Sequence, residues 1–119
     1  MATNPPQAPF REMKLDVKTE GGITAVYVSG PVTAVNVDEF KSQLKELVAR
    51  VRRMKIDLSN VSYMDSTGLG AVVGVYVTAK SAKCQLELVN LSRQVRKLLS
   101  MANLLSLFEG CGQHNIKLP

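Results

Sequence analysis

The chain has 119 residues, 45% of them hydrophobic, with 15 Lys and Arg against 10 Asp and Glu for a formal charge of +5. A chain of this length fits one domain that buries roughly two-thirds of its unfolded surface, so it needs no disulfide or metal staples. No run of about 20 apolar residues is present for a membrane span, and the opening MATNPPQAPF lacks the basic start and apolar stretch of a secretory signal.

Residues 1–12, with Pro5, Pro6 and Pro9 among small polar residues, read as a disordered tail. From Lys14, the alternation of Leu15 and Val17 with Lys14, Asp16 and Lys18 predicts a half-buried strand. Glu20-Gly21-Gly22 turns it into a second strand, Ile23 to Ser29, which Gly30-Pro31 ends. Asn36 then opens a helix as an N-cap, with Glu39 three residues on as in a capping box. Val37, Phe40, Leu44, Leu47, Val48 and Val51 recur at helical spacing, with Asp38, Lys41, Lys45 and Glu46 between them. Met54 to Leu58 reads as a buried strand that Ser59-Asn60 breaks. Residues 67–81 form a second helix, and Cys84 to Val89 alternates as a strand. Ser92 caps a third helix running to about Ser100, with Val95, Leu98 and Leu99 inward. Leu104 to Phe108 is a final short strand, and residues 110–119 are a C-terminal tail. The order β-β-α-β-α-β-α-β is that of an α/β domain over residues 13–109. Its opening hairpin makes the sheet mixed, with four to five strands and three helices packed on it.

The positive charge gathers at Arg50, Arg52, Arg53 and Lys55, and again at Arg93, Arg96 and Lys97. Cations at a helix C-terminus complement its dipole, which accounts for the first cluster. No aromatic residue interleaves with either cluster as a base-stacking surface requires, so direct nucleic-acid binding is not expected. Cys84 and Cys111 match no metal spacing and read as reduced thiols of a cytoplasmic protein without cofactor or metal.

The chemistry concentrates in Asp57-Leu58-Ser59-Asn60-Val61-Ser62-Tyr63-Met64-Asp65-Ser66-Thr67-Gly68-Leu69-Gly70, where a strand feeds a turn and the turn opens a helix. Asp65, Ser66 and Thr67 have a plain structural use there, satisfying the unpaired N–H groups of the first helical turn. The same place has a functional use, because free N–H donors and a positive dipole end accommodate a phosphate attached to Ser66. The helix also carries Gly68, Gly70 and Gly74, each costing about 0.5–1 kcal/mol relative to Ala. At 100° per residue, Leu69, Val72, Val73 and Tyr76 fall on a core face. Ser66, Thr67, Gly70, Ala71, Gly74, Thr78 and Ser81 fall opposite, with Val77 the one larger member. Such a stripe lets another backbone approach closely, either from the same chain or from a partner.

Enzyme motifs fit poorly. Asp-Ser-Thr-Gly has one residue too many for the Asp-Thr/Ser-Gly of aspartic proteases. Met64 stands where a nucleophile elbow needs Gly, and no Lys follows the glycines as in a P-loop. The only histidine, His114, lies in the polar tail, so no Ser-His-acid triad is expected.

The centre Met64-Asp65-Ser66-Thr67-Gly68-Leu69-Gly70 resembles the signature of the STAS family, which covers anti-sigma factor antagonists and the cytoplasmic domains of sulphate transporters. The element order and Ser92-Arg93-Gln94-Val95-Arg96-Lys97-Leu98-Leu99 are similar to it as well, over roughly residues 13–109. The resemblance implies a bacterial partner switch. The unphosphorylated protein binds an anti-sigma factor with serine kinase activity and frees a sigma factor; phosphorylation at the position of Ser66 breaks the complex, and a phosphatase resets it. Asp65 shapes the loop, while Thr67, Gly68, Leu69, Gly70 and Gly74 line the contact surface with Ser66. Where the family carries an acidic residue after the second strand, this chain has Gly30-Pro31-Val32-Thr33, which puts Thr33 at that contact. Many such antagonists are acidic and this chain is basic; it also stops soon after Phe108, leaving little length for a closing helix. A STAS subunit or scaffold that is never phosphorylated, as in a transporter, and a small-ligand or nucleotide-binding module remain the alternatives.

Overall fold

The computed structural model describes residues 12–104, ordered ββαβαβα around one four-stranded sheet. β1 (Lys14–Glu20) and β2 (Ile23–Val32) form the expected antiparallel hairpin. Gly21 and Gly22 join them with φ of 61° and 80°, the left-handed pair whose twist matches that of the strands in a two-residue turn. β3 (Arg53–Met64) and β4 (Gln85–Val89) add in parallel, so the spatial order β1-β2-β3-β4 repeats the order of the chain. α1 (Val37–Val48), α2 (Ser66–Ser81) and α3 (Arg93–Met101) follow β2, β3 and β4 in turn. The mixed sheet with three helices is the architecture that the sequence implied. The tails, most of the expected final strand, Cys111 and His114 lie outside the described residues.

One core unites the layers. Val26 and Val28 of β2, Ile56 and Leu58 of β3 and Leu86 and Leu88 of β4 meet Phe40 and Leu44 of α1, Val72 and Val75 of α2, and Val95 and Leu99 of α3. Each such side chain contributes about 1.5–3 kcal/mol by leaving water. Strand alternation sends Tyr27 and Asp57, which are in register, to the opposite face of the sheet.

Several boundaries differ from expectation. β2 does not end at Gly30-Pro31 but runs to Val32, and β3 runs straight through Ser59-Asn60. Both breakers mark changes of register. Tyr27 pairs with Asp57 and Ser29 with Asn60, then Gly30 with Val61 and Pro31 with Tyr63, so β3 twice carries one extra residue. A bulge of this kind bends a strand without ending it. At Gly30, where φ is 84°, a Cβ would run into the Glu12 carbonyl. The capping box is absent: Asn36 occupies the N-cap position without a side-chain cap, and Glu39 accepts from Gln43 Nε2 at 3.0 Å instead. α1 also stops at Val48, which leaves Val51 half-buried beyond it.

α2 is rotated relative to the expected core face. Ala71, assigned to the open stripe, is buried, and so are Gly68, Val75 and Ala79, while Val73 is only half-buried. The helix packs on the sheet and on α1 together, which widens its buried side. Between Asp65 and Lys80 no charged residue marks the wet side, so periodicity had little to act on.

Candidate functional site

β2 and β3 end side by side, Val32 paired with Met64, and the two loops that leave them share one carboxylate. Asp65 has an extended backbone and caps α2, its Oδ1 accepting from the Gly68 N–H at 2.9 Å. Its Oδ2 accepts from the Ala34 N–H at 3.3 Å, 31 residues away in the loop after β2. One side chain therefore satisfies a donor of the helix's first turn and fixes the neighbouring loop to it.

That neighbouring loop is closed by Asn36, whose Oδ1 accepts from the Thr33 N–H at 3.0 Å and whose Nδ2 donates to the Pro31 carbonyl at 2.9 Å. A side chain used in this way builds a turn, which is why Asn36 does not cap α1. Thr33 is half-buried and its hydroxyl accepts from the Val35 N–H at 3.3 Å. From the other side Gln94 of α3 clamps the strand end. Its Oε1 accepts from the Met64 N–H at 2.8 Å, and its Nε2 donates to the Met64 carbonyl at 3.1 Å.

Ser66 is the first residue of α2 and is exposed, as is Thr67. Its hydroxyl stands at the end of the helix where N–H groups and the dipole favour negative charge. Gly70 and Gly74 follow on the open side, and a Cβ added at either meets nothing within 4 Å. Val77 is 55% exposed, and the Thr78 hydroxyl is used internally, donating to the Gly74 carbonyl at 2.9 Å. The open strip is thus Ser66, Thr67, Gly70, Gly74, Val77 and Ser81.

Two expected contact residues belong elsewhere. Gly68 is buried, and a Cβ there would overlap the Val32 carbonyl oxygen and lie 2.9 Å from Met64 Cγ. Leu69 is 8% exposed and sits in the core. The structure gathers Thr33, Asp65, Ser66 and Thr67 where β2 and β3 end, and Gly70 and Gly74 continue from there along the open side of α2; Gly68 and Leu69 hold the helix against the sheet.

Sequence reasoning missed three participants. Val35 is 94% exposed, beside the Ala34 amide that binds Asp65, and a single apolar loop residue gives no periodic signal. In the sequence Gln94 is only part of the family-like stretch Ser92 to Leu99, with no role of its own; the fold brings it to Met64. Asp57 is the third. Ser59 donates its N–H at 2.9 Å and its hydroxyl at 2.6 Å to Oδ1, and Asn90 Nδ2 donates to Oδ2 at 2.8 Å. Burial pushes the Asp57 carboxyl up, but the hydrogen bonds from Asn90 and Ser59 outweigh it and hold the group below its ordinary value. The carboxylate thereby pins the first bulge of β3 and the end of β4.

Comparison with known proteins places this geometry. A family model described as the STAS domain matches residues 14–117. The chain is 30% identical over 97 residues to the anti-sigma-B factor antagonist of Bacillus subtilis, covering 82% of this chain and 89% of that protein. Its fold is shared with the crystal structure of an anti-sigma factor antagonist from Mycobacterium paratuberculosis, with a TM-score of 0.73 at 22% identity, over 82% of this chain and 83% of that one. The Bacillus cell fate determinant SpoIIAA, solved in its phosphorylated form, superposes with a TM-score of 0.66 at 16% identity, over 91% of each chain.

Proposed function

This chain belongs to the STAS-domain family, and from that premise we propose that it is an anti-sigma factor antagonist, a cytoplasmic regulator that acts by binding and not by catalysis. Its partner is an anti-sigma factor with serine kinase activity. The unphosphorylated protein docks on it through the strip that begins at Ser66, and the sigma factor is released. The kinase then phosphorylates Ser66 with ATP, the complex parts, and a phosphatase restores the hydroxyl.

The observation that carries this reading is the position of Ser66. It is an exposed hydroxyl at a helix N-terminus, at the head of a strip where Gly70 and Gly74 leave room for another backbone. A phosphoserine brings about −1.5 to −2 charges at pH 7. The helix end tolerates that charge within the chain, while a close-fitting partner is obstructed by it. The names of the relatives, and the phosphorylated state in which one fold neighbour was solved, agree with this mechanism.

Incubation with the kinase and ATP, followed by phosphopeptide mapping, tests the acceptor. Ser66 is expected to carry the label, and Ser66→Ala to lose it. Calorimetry tests the consequence: Ser66→Ala keeps its affinity for the anti-sigma factor, and Ser66→Asp loses about tenfold or more. Label at Thr67 or Ser62 with Ser66→Ala undiminished, or equal affinities for the two variants, returns the protein to the reading of a STAS subunit that is never phosphorylated.

A further inference from the structure

We propose that β1 is an interface for a second copy of this chain, the two Lys14–Glu20 strands pairing antiparallel about a two-fold axis at Val17 and joining two four-stranded sheets into one.

Among the described residues β1 is an edge strand whose one neighbour is β2, and six of its seven residues are exposed. Val17 among them is 42% exposed. Natural edges are commonly blunted by a proline, a bulge or charged side chains, and of these β1 carries the charges Lys14, Asp16, Lys18 and Glu20. β1 has no proline, and its seven pairs with β2 run from Lys14↔Ser29 to Glu20↔Ile23 without a shift. The edge is long, regular and open.

Its backbone phase suits a two-fold axis at Val17. Glu20 and Ile23 flank the two-residue turn, and such a flanking pair exchanges hydrogen bonds across the hairpin. Phase alternates along an antiparallel strand, so Lys18, Asp16 and Lys14 also turn their N–H and C=O toward β2. Thr19, Val17 and Leu15 turn theirs to the free edge. A symmetric antiparallel pair centred on a residue needs that residue's own donor and acceptor to face its copy, and Val17 meets this requirement. Leu15 and Thr19 then exchange the flanking bonds.

The charges fit the same axis. With Val17 opposite its copy, Asp16 faces Lys18 and Lys14 faces Glu20, each contact occurring twice by symmetry, and every charged pair is of opposite sign. On the other face Val17 meets Val17, and Leu15 meets Thr19. A slip that moves the axis to Asp16 sets Asp16 on Asp16 and Lys14 on Lys18. Moving it to Lys18 sets Lys18 on Lys18 and Asp16 on Glu20. Parallel pairing in register sets every charge on its like. Axes at Leu15 and Thr19 keep the phase and also bring opposite charges together, but they overlap only three residues of each β1, whereas the axis at Val17 overlaps all seven and gives the larger number of opposite-charge pairs. The same signs leave the edge poorly matched to an arbitrary strand, so the occupant is a second copy.

Sedimentation equilibrium on the full chain tests this, and a concentration-dependent dimer is expected. Val17→Pro removes an N–H that faces the free edge and not β2, so the variant should be monomeric with unchanged far-ultraviolet circular dichroism. Asp16→Lys places two lysines opposite each other and should raise the dimer dissociation constant about tenfold or more. Adding Lys18→Asp to it re-creates the 16–18 pair in reversed polarity, leaves the Lys14–Glu20 pair as it was, and should restore the dimer, which a general loss of folding or charge cannot do. A wild-type chain that stays monomeric at all concentrations, a dimer that persists in Val17→Pro, or a double variant no tighter than Asp16→Lys would each overturn the proposal.

Discussion

At Gly68 a methyl group would overlap the Val32 carbonyl oxygen, whereas at Gly70 and Gly74, on the same helix, it would meet nothing within 4 Å. The first glycine is small because the fold is crowded against it. The other two lower the helix's own stability by about 0.5–1 kcal/mol each relative to Ala, with no contact among the described residues to account for it. Residue type alone hides this difference. α2 is attached to the sheet through one side of its first turn and is left open along the other, and Ser66 stands where the two sides meet.

The sharpest way to break the comparison is Gly68→Ala. Its neighbour is backbone and cannot rotate away, so the variant is expected to lose about 1–3 kcal/mol by overpacking. Thermal unfolding should show a melting temperature lower by several degrees. An unchanged melting temperature would mean that the close approach to Val32 is not a constraint.

Asp65→Ala comes next, because it removes the cap of α2 and the bond to Ala34 together. Loss of an N-cap costs about 0.5–2 kcal/mol. Amide exchange should rise at Gly68 and at Ala34 alike; a rise at Gly68 alone would show that the second loop holds its shape without the carboxylate.

The smallest effect has the opposite sign. Gly74→Ala should stabilise the protein by about 0.5–1 kcal/mol, because a Cβ at this half-buried helical position meets nothing within 4 Å. Gly74→Gln should likewise keep the fold, yet weaken binding to an anti-sigma factor by holding two backbones apart. A destabilised Gly74→Ala would place the strip inside the fold and withdraw it as a contact surface.

The sequence made the order of elements legible because most of them carry a clean period. Leu15 and Val17 alternate with charges, and Phe40, Leu44 and Val48 repeat between polar residues. Where the period was weak, the reading went astray. From Thr67 to Ala79, α2 has no charged residue, so the inward placement of Ala71 and Val75 is set by α1 and the sheet, not by local pattern. Ser59-Asn60 and Gly30-Pro31 carry the composition of chain breaks, but a bulge tolerates the same residues once Asp57 satisfies the Ser59 amide. The site itself was half visible. Asp65 and Ser66 announced themselves as a cap, whereas the bonds from Ala34 and Gln94 span 31 and 30 residues and have no local signature.

The coincidence of sheet order with chain order has a kinetic consequence. Every described strand after the first finds its partner in the strand synthesised just before it, so none of these pairings waits for a distant segment, and loop-closure entropy stays low for a largely parallel sheet. The hairpin of β1 and β2 has what it needs after a few tens of residues, and each later unit docks on a surface that already exists. α3 is the last described helix to emerge, and Gln94 on it grips the strand end two residues before Ser66. During synthesis the loop that carries Ser66 is therefore locked only after the four described strands beneath it are complete.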